Sequence, residues 1–166
     1  MNDRSTRIRI LMALLAVFGI SQASWADHHA PAPQHVPDGI ITLASNHSVA
    51  QTIKRLENSV RAKGMKVFAK IDHAAGAQSI GETLSPSQVL IFGNPKVGTK
   101  LMQCDPLVGL DLPMKALAWQ DKKGKVWLSY NSPSYLKQRH RIPGCGKVMA
   151  KVGQALRNFA QEATKP

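Results

Sequence analysis

The sequence predicts an α+β domain, an antiparallel sheet with helices on one face, in the order β-α-β-β-α-β-β-α. Three observations predict it. Stretches that alternate apolar and polar residues, or run wholly apolar, come in clusters instead of taking turns with helices, so neighbouring strands can pair antiparallel. Segments with apolar residues at helical spacing separate and follow those clusters, enough to cover one face. Between the last two strands stands Asp121-Lys122-Lys123-Gly124, a polar stop ending in glycine that reads as a hairpin turn.

From the start of the chain, Arg4, Arg7 and Arg9 precede an uncharged apolar run, Ile10 to Ile20. A short polar stretch follows, with small residues, Ser24 and Ala26, at −3 and −1 of a cut after Ala26. This is the three-part pattern of a secretory signal, 1–26. The run is about half the roughly 20 residues that a bilayer span takes, so no membrane anchor is expected after cleavage. A cut after Ala23 is the alternative. Residues 27–38, rich in proline and histidine and without periodicity, read as a flexible tail.

Order is expected from Gly39, with one domain over 39–163. Ile40, Ile41 and Leu43 make a short first strand. Ser48 and Gln51 form a capping box, and Val49, Ile53, Leu56 and Val60 follow at helical spacing until Gly64 ends the helix. Val67, Ala69 and Ile71 alternate with longer or charged residues, a half-buried strand that Asp72-His73 closes. Residues 74–86 leave room for a short helix ending before Pro86. Val89 to Phe92 is a fully apolar strand, and Asn94-Pro95 then cap and open a helix reaching about Cys104. After the loop from Pro106 to Pro113 come two strands, Met114–Gln120 and Lys125–Asn131. A short helix holds Tyr135, Leu136 and Arg139, and a last helix carries Val148, Val152, Ala155, Leu156 and Phe159 on one face.

The chain has 166 residues, with 22 basic and 10 acidic side chains. Arg4, Arg7, Arg9 and Asp3 leave with the leader, so 19 and 9 remain, a net charge of about +10. Such charge favours anionic neighbours. Export, scattered lysines and few aromatic residues argue against nucleic acid and for the anionic components of an envelope. The expected compartment is the periplasm or the exterior. There an isolated cysteine pair, Cys104 and Cys145, is most simply a structural disulfide. Closing a loop of roughly 40 residues stabilises by about 4 kcal/mol in the chain-entropy account.

Gly93 to Lys100 sits where a phosphate-binding loop would, but Thr99 precedes Lys100 and Pro95 removes an amide the loop needs, so nucleotide binding is excluded. No nucleophile elbow, zincin or zinc-ribbon spacing appears. What remains are polar residues at the ends of elements: Asp72, His73, Asn94, Asp111, Arg139 and His140. An acid beside an imidazole can orient or charge it; the plainer role of each is to cap a helix or satisfy a loop.

Ile91-Phe92-Gly93-Asn94-Pro95, Leu101-Met102-Gln103, Leu110 to Lys115, and Val126 to Asn131 with Tyr135-Leu136 and Arg139-His140 resemble the domain of unknown function 302 family, from about Gly39 to Ala163. The resemblance implies a TATA-binding-protein-like β-α-β(4)-α fold and a capacity for self-association into a homodimer. It carries no catalytic residues across. It makes the motif residues, Tyr130 included, candidates for one shared pocket with Asp72, His73, Asn94, Asp111, Arg139 and His140.

These observations favour a non-enzymatic binding or accessory protein of the envelope with a small ligand. A second expectation concerns the mature terminus. A cut after Ala26 leaves Asp27-His28-His29, whose α-amine, two amides and third-position imidazole can hold Cu(II) or Ni(II) in a square of nitrogens. A third expectation is an enzyme built on the shared polar pocket.

Overall fold

The computed structural model describes residues 36–142 and 144–166. Five strands, β1 (Ile40–Ser45), β2 (Lys66–Asp72), β3 (Ser87–Gly93), β4 (Met114–Gln120) and β5 (Val126–Asn131), form one antiparallel sheet in the order β1-β5-β4-β3-β2. The helices are α1 (Val49–Ala62), α2 (His73–Gln78), α3 (Pro95–Cys104), α4 (Pro133–Arg139) and α5 (Gly146–Thr164), with a 3-10 turn over Pro106–Asp111. The predicted α+β order holds, and the two short helices expected alongside it are α2, which ends at Gln78 well before Pro86, and α4.

Because β1 and β2 are opposite edges, the chain must cross the whole sheet between them. At roughly 4.8 Å per strand that is about 19 Å. The 14 residues of α1 span about 21 Å, so one straight helix makes the crossing. Its start is the capping box Ser48–Gln51. Its end is a double-bonded left-handed cap: Gly64 at φ 70° lets its amide reach Arg61 O while the Met65 amide reaches Val60 O. Val49, Ile53, Leu56 and Val60 are the buried stripe. Buried Thr52 is satisfied by Ser45 Oγ at 2.7 Å and Ser48 O at 2.9 Å.

Helix α5 lies beside α1 and over β1, and the Phe159 ring meets Phe92 of β3 edge-on at 6.2 Å. Its deepest residues are Met149, Gly153, Leu156, Phe159, Ala160 and Ala163, whereas Val148, Val152 and Ala155 only flank the core. The apolar stripe is thus turned from the one the large side chains predict. Small residues set the contact: Gly153 passes against Pro133 of α4, where a Cβ would sit 3.7 Å from the ring.

Register places Leu90, Phe92, Met114, Ala116, Ala118, Leu128 and Tyr130 on the helix side, all in the core. Among the described residues, no helix covers the other side.

Candidate functional site

Inward-facing positions should be apolar along the whole length of a half-buried strand. In three neighbouring strands they are not. Strand β2 ends inward with Asp72, β3 begins inward with Gln88, and β4 ends inward with Gln120, all at the same end of the sheet. The hydrophobic core stops there. In its place is an open groove of about 590 Å³, walled by these residues, the first turn of α1 (Ser48, Val49, Ala50), α2 and the loop with Glu82, Thr83 and Leu84.

Three of the groove's polar side chains, Asp72, Gln88 and Gln120, are held in place. Asp72 caps α2, accepting from the Ala75 amide at 3.0 Å, and accepts from Gln88 Nε2 at 2.8 Å. Those two donors, the backbone amide first, hold its carboxyl below the ordinary aspartate range. Gln120 Nε2 donates to Gly124 O at 2.9 Å. Every charged side chain in the lining is acidic, Asp72 and Glu82, although the chain as a whole is strongly basic. The start of α1 contributes a partial positive charge of about half a unit, which two carboxylates outweigh.

Of the candidate pocket residues, only Asp72 lines the groove; exposed His73 opens α2 beside it. Asn94 stands beyond the far end of β3, seven residues or roughly 20 Å away, where its side chain accepts from the Lys96 amide as the cap of α3. Asp111, Arg139 and His140 do come together. His140 Nε2 lies 2.5 Å from Asp111 Oδ2, with the imidazole only 6% exposed, and Arg139 Nε lies 3.6 Å from the same oxygen. This cluster ties the 3-10 turn to the end of α4. Cys104 and Cys145 form a disulfide nearby in the chain, with Cα atoms 6.4 Å apart, joining α3 to the start of α5. Tyr130 is buried in the core, its hydroxyl has no partner among the described residues, and burial pushes the phenol up. The seven residues therefore divide between the two ends of the sheet and its interior and do not form one cleft. Asp27, His28 and His29, the copper or nickel expectation, lie outside the described residues.

Gln78, Glu82, Gln88 and Gln120 are site residues that sequence reasoning passed over. The signal for two of them was present: Gln88-x-Leu90-x-Phe92 and Met114-x-Ala116-x-Ala118-x-Gln120 each end a core-facing parity in an amide. Their convergence requires the strand register.

No helix among the described residues is long and apolar enough to cross a membrane. The chain is 46% identical over 125 residues to fluoride-specific ion channel FluC 1 of Brucella suis biovar 1 (strain 1330), an alignment covering 75% of this chain and 49% of that protein. Identity is also 46% to fluoride-specific ion channel FluC 2 of Brucella melitensis biotype 1, covering 46% of it. The chain thus spans about half the length of the curated relatives it matches. A crystal structure of an uncharacterized conserved protein DUF302 from Bacillus stearothermophilus superposes with a TM-score of 0.69 at 22% identity, covering 76% of this chain and 99% of that one. The same family, described as domain of unknown function DUF302, matches residues 41–163. The sheet-and-helix domain described above belongs to the DUF302 family.

Proposed function

We propose that this chain is a non-catalytic binding or accessory protein of the cell envelope, and that its groove takes a small polar ligand carrying positive charge. The observation that carries the reading is the lining: Asp72 and Glu82 with the amides of Gln78, Gln88 and Gln120, in a basic chain whose lysines stay out of the groove. A pre-formed concavity with a few fixed polar groups is the usual form of a small-ligand site. The accessory part is supported by the relatives, in which the matching stretch is about half of a longer chain named for an ion channel.

The test is calorimetric titration of putrescine into the wild-type chain and into Asp72→Asn/Glu82→Gln, whose new asparagine still caps α2. Binding that weakens at least about tenfold in the variant, roughly 1.4 kcal/mol, is expected. A flat titration of the wild type, or equal affinity in both, removes the cationic-ligand reading. Export is checked by mass spectrometry of the protein from its host: an N-terminus at Asp27 is expected, and one at Met1 overturns it.

A further inference from the structure

The side of the sheet that no helix covers among the described residues is apolar over β2, β3 and β4, and turns polar toward β1, where Thr42 and Ser129 share a hydrogen bond. Phe68 and Ile71 on β2 are 47% and 44% exposed, and register sets Val89 and Ile91 of β3 and Leu117 and Trp119 of β4 beside them on the same side. An exposed contiguous apolar surface of this kind marks a contact with something else.

The charges on that surface indicate what. Lys66 Nζ stands 5.2 Å from the Phe68 ring centre, Lys125 Nζ stands 5.0 Å from that of Trp127, and Lys115 sits opposite Ile91 in register. The one acidic residue within the five strands, Asp72, faces the helices. Asp121, in the β4–β5 turn, is occupied by the Trp127 indole at 2.9 Å. Over β2 to β4 the open side is therefore aromatic and aliphatic, with Lys66 and Lys115 on it, Lys125 over the buried Trp127 at its border, and no free carboxylate on its strands.

We propose that this face seats on an anionic bilayer surface, with Phe68, Ile71 and Trp119 at the headgroup boundary and Lys66, Lys115 and Lys125 against lipid phosphates. Aromatic rings prefer that boundary, and lysine stems lie along apolar surface while the ammonium stays at the polar level. A second copy of this chain is the competing occupant and fits worse. Two-fold pairing would set the lysines of one copy against those of the other, with no acid to receive them.

The experiment is co-sedimentation of the protein with phosphatidylcholine vesicles, with and without phosphatidylglycerol. All forms are purified as their host produces them, so any leader contributes equally to each. We expect partitioning that needs phosphatidylglycerol, falls in high salt, and drops on the order of a hundredfold in Lys66→Gln/Lys115→Gln/Lys125→Gln. Phe68→Ser/Ile71→Ser, with all lysines intact, should lose about tenfold. Asp72→Asn, in the groove, should partition as the wild type does, which keeps this proposal separate from the ligand reading. Equal partitioning onto neutral and anionic vesicles, or unchanged partitioning of the triple-lysine variant with its melting temperature kept, overturns the proposal. So does a dimer in sedimentation velocity that Phe68→Ser/Ile71→Ser splits while no form pellets with vesicles; a second copy would then be the occupant.

Discussion

At the end of the sheet where β3 finishes and β4 begins, three separate devices hold the chain: the Cys104–Cys145 bridge, the Asp111–His140 pair with Arg139 beside it, and the Asn94 cap. At the opposite end the core gives way to Asp72, Gln88 and Gln120, and a short helix and an exposed loop stand over an open groove. The cross-linked end has more buried polar chemistry, yet its groups are consumed by one another. The groove end has weaker ties, and part of its hydrogen-bonding capacity remains directed outward. A buried Asp–His pair is therefore less informative about function here than three amides and acids at the rim of a sheet. Groups buried against one another hold the fold together, whereas groups that line an open groove keep a side that a ligand can reach.

The largest effect should come from removing the bridge. Cys104 and Cys145 are 41 residues apart in sequence, and Cys104→Ser/Cys145→Ser should lose about 4 kcal/mol of unfolding free energy through the freed denatured chain. Urea unfolding measures it. A loss under about 1 kcal/mol would mean that the cross-linked end is held by packing alone, and the contrast between the ends would weaken.

Next in size is His140→Ala. It leaves Asp111, whose side chain is only 13% exposed, with the more distant Arg139 as its remaining charged neighbour, at a cost of about 2 kcal/mol. Adding Asp111→Asn should recover part of the loss, because the stranded charge goes too. Strict additivity of the two substitutions in urea unfolding would show that the pair is not coupled.

The architecture was legible where period and punctuation agree. Ser48 with Gln51, Gly64, Asn94-Pro95 and the Asp121–Gly124 turn each act within a few residues, and each is found where the sequence puts it. The stripe of α5 was less legible, because Gly153, Ala160 and Ala163 are buried for their small size, which apolar periodicity weighs lightly. The site was least legible. Asp72, Gln88 and Gln120 are neighbours only after β2, β3 and β4 pair, and the open face is invisible until α1 and α5 both choose the other side. Asp72 does end β2 and cap α2, as its place in the sequence predicts, but Asp111, Arg139 and His140 belong to the distant end.

Tyr130→Phe gives a smaller and opposite effect. The hydroxyl is buried without a partner among the described residues, so its removal should change stability by less than about 0.5 kcal/mol or raise it slightly. A loss above about 1 kcal/mol, seen in urea unfolding, would mean a bound water satisfies the phenol and that the interior contains a polar site.

The smallest effect tests the groove end by pH. Asp72 has its folded-state value held below the ordinary 3.8, by the Ala75 amide first and Gln88 second. A depressed carboxyl stabilises the fold above its unfolded value, and that contribution fades as pH falls from about 3.8 through the lower folded value. Its side chain is open to solvent, so screening keeps the effect modest. Asp72→Asn keeps the cap of α2 but has nothing to protonate. The variant should therefore match the wild type near neutral pH and lose less stability on acidification below about 4. Proton-exchange protection of the Ala75 amide reads the same event locally: in the wild type it should drop in that acid window, while in the variant it should stay level. Protection that is already minimal at neutral pH would show that α2 frays independently of its cap. The groove wall would then be ordered by what binds it, not by Asp72.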